Sequence, residues 1–167
     1  MIEVKRGLPE HVEGISKVCI EGRWAAIGHI KSPENLRRND HAFYNEDRIR
    51  RELDEAEGWD GYFVALDNGK VVGAIGGGMT GEQTSEVFVF YLDPSRRREG
   101  IGTKLLNHLT EVQRQKGAKE QWVSVLKGNN KGIPFYEAMG FRFVCEREAY
   151  GNVDGEDYLS LRYRRDI

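Results

Sequence analysis

The alternation of apolar and polar residues predicts a first strand followed by two helices. Residues 2–6 alternate with a period of two, which is typical of a strand. Residues 9–19 repeat apolar side chains at three- and four-residue spacing, and Pro9 suits the first turn of a helix. Residues 46–57 are charged, with apolar side chains four apart, which predicts a short second helix. Residues 22–45 show no regular pattern.

Three strand patterns then follow one another. Residues 62–66 and 71–75 are separated by an Asp-Asn-Gly turn, which is a strong hairpin signal. A glycine-rich stretch at residues 76–81 follows, and then a third strand at residues 86–92. Because no helix follows Gly76, Gly77 and Gly78, they are interpreted as a flexible or bulged strand end and not as a phosphate site. The hairpin predicts an antiparallel start to the sheet.

The second half of the chain alternates helices and strands. Its patterns predict a helix that ends at Gly117, a strand at 121–126, a helix at 133–139 and strands at 141–146 and 157–163. The whole order, β-α-α-β-β-β-α-β-α-β-β, is typical of an α/β fold with a mixed sheet, whose parallel part lies around the third and fourth strands. No repeat or linker interrupts it, so residues 1–167 are predicted to form one domain.

The composition excludes several classes of protein. The chain has 167 residues, a length close to that of one globular domain, and 39% of them are hydrophobic. Its longest apolar run is residues 87–92, whereas a membrane span needs about 20 residues. With no signal-peptide pattern and only two cysteines, a cytoplasmic setting is the simplest interpretation. No Cys and His cluster has metal-ligand spacing, so no metal is expected.

The net charge of −2 does not favour nucleic-acid binding, which usually shows a basic excess. The charges are nevertheless segregated along the chain. Residues 34–60 hold nine acids and five bases, whereas residues 96–119 hold seven bases and two acids. One region would suit a cationic partner and the other an anionic one; alternatively, both are solvated helix faces.

Glycines mark the point where the third strand passes into the long helix. Gly100 and Gly102 remove side chains that would keep a phosphate away from the backbone. The helix N-terminus exposes unpaired N–H groups, Thr103 adds a hydroxyl, and three arginines precede it. The spacing fits neither the dinucleotide nor the P-loop fingerprint. Taken alone, the two glycines fit either an anion site or a tight turn with close packing.

A second segment, residues 129–141, complements this helix start. It begins with Asn129 and ends in Phe-Tyr-Glu-x-x-Gly-Phe, while the helix start reads Arg-x-x-Gly-x-Gly from Arg97. Together, the two segments resemble the strand–Asn–helix segment and the pyrophosphate loop of the GNAT superfamily of acyl-CoA-dependent N-acyltransferases. The resemblance covers nearly the whole chain. It departs at Pro134, where a small or aliphatic residue is commoner, and residues 22–45 match nothing in the family pattern.

The resemblance implies the GNAT fold, in which helices cover both faces of a mixed central sheet. Acetyl-CoA, as a co-substrate, would lie where the strands at 86–92 and 121–126 splay apart. Main-chain groups near Tyr91 and Leu92 would pair with its pantetheine arm, and the helix start would hold its pyrophosphate. The residues implied to bind the cofactor are Tyr91, Leu92, Arg97, Arg98, Glu99, Gly100, Ile101, Gly102, Thr103 and Asn129.

The resemblance also implies two catalytic residues for direct attack of an amine on the thioester in a ternary complex. Tyr136 matches the position whose hydroxyl protonates the departing sulfur; otherwise it is a half-buried aromatic packing on the core. Glu86 matches the base of some family members, often acting through water; otherwise it is an ordinary surface residue at a strand end.

The expected function is therefore transfer of an acetyl group from acetyl-CoA to a primary amine of a small molecule or peptide. The acidic balance of residues 34–60 favours a cationic acceptor. The alternative is a catalytically silent acyl-CoA-binding regulatory domain, against which the presence of Tyr136 argues. No nucleic-acid or membrane partner is expected, and edge strands permit a homodimer.

Overall fold

The chain alternates helices and strands in the computed structural model, which describes residues 1–96 and 98–167. A 3₁₀ turn at Pro9–His11 leads into the first helix. The helices are α1 (Val12–Ile27), α2 (Pro33–Phe43), α3 (Glu46–Arg51), α4 (Ile101–Gln115) and α5 (Gly132–Ala138). The strands are β1 (Ile2–Arg6), β2 (Tyr62–Asp67), β3 (Lys70–Met79), β4 (Thr84–Leu92), β5 (Glu120–Leu126), β6 (Arg142–Glu148) and β7 (Leu159–Asp166).

All seven strands form one mixed sheet in the order β1-β2-β3-β4-β5-β7-β6. The pair β4–β5 is parallel, and the other neighbouring pairs are antiparallel. The predicted hairpin joins β2 to β3, with Asn68 and Gly69 both at positive φ, as a two-residue turn between twisted strands requires. These observations confirm the predicted α/β fold with a mixed sheet.

The parallel pair β4–β5 opens into a fork. The two strands pair only from Thr84 to Val87 and from Glu120 to Val123. Beyond these residues β4 continues to Leu92 and β5 to Leu126, each bonded to its other neighbour. In the described part of the chain, no strand pairs with the β5-facing edge of β4 after Val87. The splay that the resemblance implied is therefore present.

Helices cover both faces of the sheet because its strands alternate their apolar side chains. On one face, α4 and α5 pack on Val87, Val123 and Tyr163 through buried residues that include Leu105 and Leu109. On the other face, buried residues of α1 pack on β2 and β3. None of the helices in residues 1–96 and 98–167 combines the length and apolar character needed to span a bilayer.

The irregular interpretation of residues 22–45 is wrong, because α2 lies within them. Ser32 caps this helix, accepting a hydrogen bond from the Asn35 backbone at 3.1 Å, and Pro33 occupies its first turn. The helix shows no apolar repeat because two of its three buried residues, Asn35 and Asn39, are polar, and only Leu36 is apolar. The Glu156 carboxylate accepts hydrogen bonds from Asn35 at 2.9 Å and Arg38 at 2.7 Å.

Other predicted boundaries change as well. The first helix, predicted over residues 9–19, runs from Val12 to Ile27, and the last strand, predicted over residues 157–163, runs from Leu159 to Asp166. The second predicted helix, residues 46–57, ends at Arg51 instead. The glycine-rich stretch after residue 75 belongs to β3, which continues to Met79 with a register shift between Gly76 and Gly77, in agreement with the bulged strand end that the sequence predicts. The sheet ends at β6, whose residues are all exposed. The homodimer expected from free edge strands stays a prediction.

A buried carboxylate ties the end of α4 to the loop before β2. Asp60 is 1% exposed, and its carboxylate accepts hydrogen bonds from Lys116 at 2.7 Å and from Gln113 at 3.1 Å. A buried charge is tolerated only when it is paired and hydrogen-bonded. This contact therefore fixes α4 against the sheet at the end opposite to its first turn.

The variant Asp60→Asn tests this contact. Asparagine keeps the volume but removes the charge that two donors share, so we expect a loss of about 1.5–3 kcal/mol in the free energy of unfolding. Urea denaturation measures it. Asp54→Asn is the matched control, because Asp54 is exposed and should change stability by no more than about 0.5 kcal/mol. Equal losses in the two variants would contradict the role of Asp60.

Candidate active site

The fork between β4 and β5 opens into a cleft of about 410 Å³. It is bounded by the end of β4, the first turn of α4, one face of α1 and the first turns of α5. Nine of the predicted cofactor residues line it: Tyr91, Leu92, Arg98, Glu99, Gly100, Ile101, Gly102, Thr103 and Asn129. Arg97 lies outside the described residues.

The first turn of α4 presents unpaired backbone N–H groups to the cleft. Gly100 precedes the helix at a φ of +75°, a conformation that favours glycine, and none of the side chains that the structure describes caps the helix there. The first N–H groups of a helix have no partner within it and carry a partial positive charge. The structure therefore leaves these donors available to an anion.

Of the arginines before α4, Arg96 is already paired. Its guanidinium contacts Asp67 at 2.9 Å and binds both carboxylate oxygens of Glu99, at 2.8 and 2.9 Å. The hydrogen bonds from Arg96 lower the pKa of the Glu99 carboxyl, which keeps Glu99 ionised. The sequence interpretation counted Arg96 as positive charge beside the site, but two carboxylates offset it. Its role is to hold the loop before α4 against the β2–β3 turn.

Asn129 positions the start of α5. Its side-chain oxygen accepts hydrogen bonds from the backbone N–H of Gly132 at 2.8 Å and of Lys131 at 3.2 Å. The carboxamide oxygen of Asn129 therefore accepts hydrogen bonds from the protein backbone, while the two N–H groups of its NH₂ remain available as donors. An Asn at this position can therefore order the loop and donate to a ligand in the cleft.

One wall of the cleft was missed by the sequence interpretation. Gly22, Ala25 and Ala26 of α1 line it, at the three- and four-residue spacing of one helix face. A Cβ atom on Gly22 would lie 2.8 Å from the Leu92 carbonyl oxygen, so α1 passes very close to β4 there. Small residues at helical spacing were the signal that could have predicted this wall.

Tyr136 reaches the cleft from the α4–α5 face of the sheet. It is 8% exposed and lines the cleft, and its ring lies among Phe90, Phe135 and Phe141 at centroid distances of 5.4–6.2 Å. Burial raises the pKa of its phenol, and the negative charge of an ionised Tyr91 would raise it further. Tyr136 therefore stays protonated at neutral pH and can donate a proton or a hydrogen bond.

Glu86 lies apart from the other predicted residues, at the closed end of the fork. Among the predicted site residues that the structure describes, it alone does not line the cleft. Its carboxylate accepts two hydrogen bonds from Arg162, at 2.6 and 3.0 Å, and both side chains are 12% exposed. Sequence reasoning missed Arg162, which is 76 residues away along the chain.

The acids of residues 34–60 do not form a free negative surface. Five of the nine are paired with cations: Asp40 with Arg23, Asp47 with Arg50, Glu52 with Arg48, Glu55 with Arg6 and Lys116, and Asp60 with Lys116. Internal pairing removes much of the expected attraction for a cationic acceptor. The charge count along the sequence is therefore a weak guide to the acceptor.

Comparisons with known proteins agree with this architecture. Residues 24–141 match the acetyltransferase (GNAT) family. The structure aligns with the PaiA N-acetyltransferase of Thermoplasma acidophilum, solved in complex with coenzyme A, at a TM-score of 0.83 and 20% identity over 100% of this chain and 99% of that one. At that identity, the similarity shows the fold alone.

Two relatives known by sequence are N-acetyltransferases. An uncharacterised N-acetyltransferase of Methanocaldococcus jannaschii is 36% identical over 91 residues, 49% of this chain and 39% of that protein. The ribosomal protein bS18-alanine N-acetyltransferase of Escherichia coli K12 is 32% identical over 72 residues, 42% of this chain and 49% of that protein. The matched part thus spans less than half of each relative. Since the family match covers more than half of the chain, the protein belongs to the acetyltransferase (GNAT) family.

Proposed function

We propose that the protein transfers an acetyl group from acetyl-CoA to a primary amine of a small molecule or peptide. The observation that carries this proposal is the cleft at the β4–β5 fork. It joins an unpaired strand edge, an uncapped helix start and a protonated tyrosine in one space. These three features serve the amide arm, the phosphates and the leaving thiolate of a CoA thioester.

The cofactor would lie along the free edge of β4. Its pyrophosphate would accept hydrogen bonds from the first N–H groups of α4, with Arg98 and Thr103 beside it. Its pantetheine amides would pair with backbone groups near Tyr91 and Leu92, which have no strand partner on that edge among the described residues. Asn129 would donate a hydrogen bond through its NH₂ group. The family match and the coenzyme A complex of the Thermoplasma relative support this placement.

The reaction requires a neutral amine and a stabilised leaving group. The amine nitrogen attacks the thioester carbonyl, a C–N bond forms, and the C–S bond then breaks. A bound alkylammonium loses two protons in all, one to become the neutral nucleophile and one after the C–N bond has formed, and both leave by way of the proton acceptor and water. The CoA thiolate gains one proton from the Tyr136 hydroxyl, and bulk water then reprotonates the phenolate. A free alkylammonium has a pKa near ~10.4 and no lone pair, so a proton acceptor is needed. Tyr136 serves as the acid because burial keeps its phenol protonated.

Glu86 is the proposed proton acceptor, and it acts through water. It belongs to β4, one residue before the fork opens, and it lies outside the cleft lining. A water between its carboxylate and the amine spans that gap. Tyr136 and Glu86 then approach the thioester from opposite faces of the sheet, which separates the acid from the base.

The acceptor is an amine that enters on the face of α1 and α2. The E. coli relative acts on an alanine of ribosomal protein bS18, which is consistent with a peptide acceptor for this chain as well. Because many acids of residues 34–60 are paired with cations of the protein, their negative charge does not by itself select a cationic acceptor. We therefore propose a primary amine of a small molecule or peptide without a requirement for a polycation.

The function is tested by thiol release from acetyl-CoA across polyamines, amino acids, aminoglycosides and peptides, with CoA binding measured by calorimetry. We expect turnover with at least one amine class. Gly102→Glu should abolish CoA binding, because it places a carboxylate at the helix N-terminus. A Cβ atom at Gly102 makes only ordinary contacts, at 3.4 Å from Leu92 and Phe135, so the fold should persist.

Gly102→Gln is the control for this variant, because it has nearly the same size without the charge. It should weaken CoA binding less than Gly102→Glu does. Native CoA affinity in the glutamate variant would contradict the placement of the pyrophosphate. CoA binding without turnover on any amine would instead favour a silent acyl-CoA-binding domain.

Tyr136→Phe tests the proton donor. A positioned general acid is worth about 10²–10⁴-fold, but a CoA thiolate resembles a Cys thiolate of pKa ~8.5 and leaves readily. We therefore expect a fall in kcat of about 10–100-fold, with acetyl-CoA affinity little changed. Because the pKa of Tyr136 is raised, the wild-type kcat should show no decline from its ionisation below about pH 10.

Tyr163→Phe is the matched control, since it removes the same hydroxyl from a buried tyrosine of the core on β7. Its kcat should equal that of the wild type, and both variants should melt within a few degrees of it. If kcat of Tyr136→Phe is unchanged from pH 6 to 10, water protonates the thiolate and Tyr136 is a packing residue.

A further inference from the structure

The Glu86–Arg162 pair joins two strands that are not neighbours. Glu86 belongs to β4 and Arg162 to β7, with β5 between them. Arg162 Nη1 donates to Glu86 Oε2 at 2.6 Å, and Nη2 donates to Oε1 at 3.0 Å. Each carboxylate oxygen therefore accepts one N–H from the planar guanidinium, whose geometry matches that of a carboxylate.

The guanidinium of Arg162 is fixed in turn by β5. Its Nη1 donates to Ser124 Oγ at 2.8 Å, and its carbon lies 5.1 Å from the centre of the Trp122 ring. Trp122 and Ser124 share one face of β5, because Val123 between them faces the core on the α4 side. The pair therefore lies on the opposite face, by which the proposed acceptor enters.

The pair is located at the closed end of the fork. Glu86 is in register with Trp122, one step before Val87 and Val123, the last residues that join β4 to β5. At ~3.3 Å per residue, the five steps from Leu92 back to Val87 span about 17 Å. With the phosphates at the first turn of α4, a pantetheine arm lying along β4 would bring the acyl group to this end. This step rests on the proposed function.

Stability alone does not account for such a pair. The cost of removing two charges from water commonly offsets their attraction, so a largely buried ion pair adds little net stability. The contacts of Arg162 with Glu86, Ser124 and Trp122 instead restrict one carboxylate to one orientation. Lone pairs that face Arg162 are occupied, so only those that point away from it can accept from a water.

We propose that Arg162 is a positioning residue that holds Glu86 in the orientation from which its carboxylate accepts the acceptor's proton through water. Arg162 itself neither binds the acceptor nor changes the bonds made and broken in the reaction. Without the guanidinium of Arg162, the Glu86 carboxylate can rotate away. A misplacement of about 1 Å can cost up to 10²-fold in rate. The effect should appear in kcat and not in the KM for acetyl-CoA.

A double-mutant cycle tests the coupling, with the best amine from the panel as acceptor. Arg162→Gln and Glu86→Gln should each lower kcat by about 10–100-fold. The double variant should be no slower than the slower single variant, because both changes disable the same carboxylate. The KM for acetyl-CoA and the calorimetric affinity for CoA should stay within about threefold of wild type in all three, since no cofactor contact is altered.

Arg164→Gln is the matched control. Arg164 lies on the same strand, 5.9 Å from the Trp122 ring, but it binds Glu120 and Asp166 instead of Glu86. Its loss should leave kcat nearly unchanged. Arg162→Lys keeps the positive charge but lacks the planar guanidinium. Its kcat should lie between those of the wild type and Arg162→Gln. It also carries the test if the glutamine variant does not fold, which thermal unfolding reveals.

Two results would overturn the inference while leaving the proposed function intact. An active enzyme whose kcat is unaffected by Arg162→Gln or Arg162→Lys would show that the pair is structural. Losses that multiply in the double variant would show that Arg162 acts independently of Glu86, for instance by binding the acceptor. A wild-type protein that binds CoA but acetylates no amine would contradict the proposed function itself, and the positioning role with it.

Discussion

Strand β4 is bonded to β3 along most of its length but to β5 for only four residues, and the site depends on this half-paired strand. Unpaired backbone groups buried away from water are costly, so a free edge inside a protein needs a partner. The cleft beside Phe90, Tyr91 and Leu92 supplies room for one. An amide-bearing chain is the natural partner, because it pairs with a strand edge as another strand does.

The two faces of the sheet give the two sides of the fork different chemistry. On one face, α4 and α5 build an apolar wall in which Tyr136 is buried and stays protonated. On the other face, Trp122 and Ser124 leave a polar surface that holds Arg162 against Glu86. The proposed proton donor and the proposed proton acceptor are thereby separated by the sheet itself. A thioester at the fork would meet Tyr136 in the cleft and would be linked to Glu86 only through a water.

Local sequence signals predicted much of this arrangement, and interactions between distant residues account for the rest. The hairpin turn, the glycines before α4 and the segment from Asn129 each lie within a few residues, so their patterns were readable. Helix α2 was missed because it docks through polar contacts to Glu156, more than 100 residues away. The Glu86–Arg162 pair was missed for a similar reason, since neither residue signals its partner.

Charge along the sequence was the least reliable guide. Residues 34–60 carry an acidic excess, yet several of their carboxylates bind arginines or lysines within the protein, as Asp60 does with Lys116. Arg96 likewise contributes no free charge beside α4, because Asp67 and Glu99 hold it. Only the folded chain shows which charges remain available to a ligand, and the contacts of Arg96 illustrate why.

Amide hydrogen exchange with and without CoA tests the central claim most directly, because it reports on the backbone groups that the fork leaves unpaired. The account predicts that CoA slows exchange in residues 88–92 of β4 and in the first turn of α4, and leaves the exposed edge strand β6 unchanged. Slower exchange elsewhere, with these two segments unaffected while CoA is bound, would contradict it.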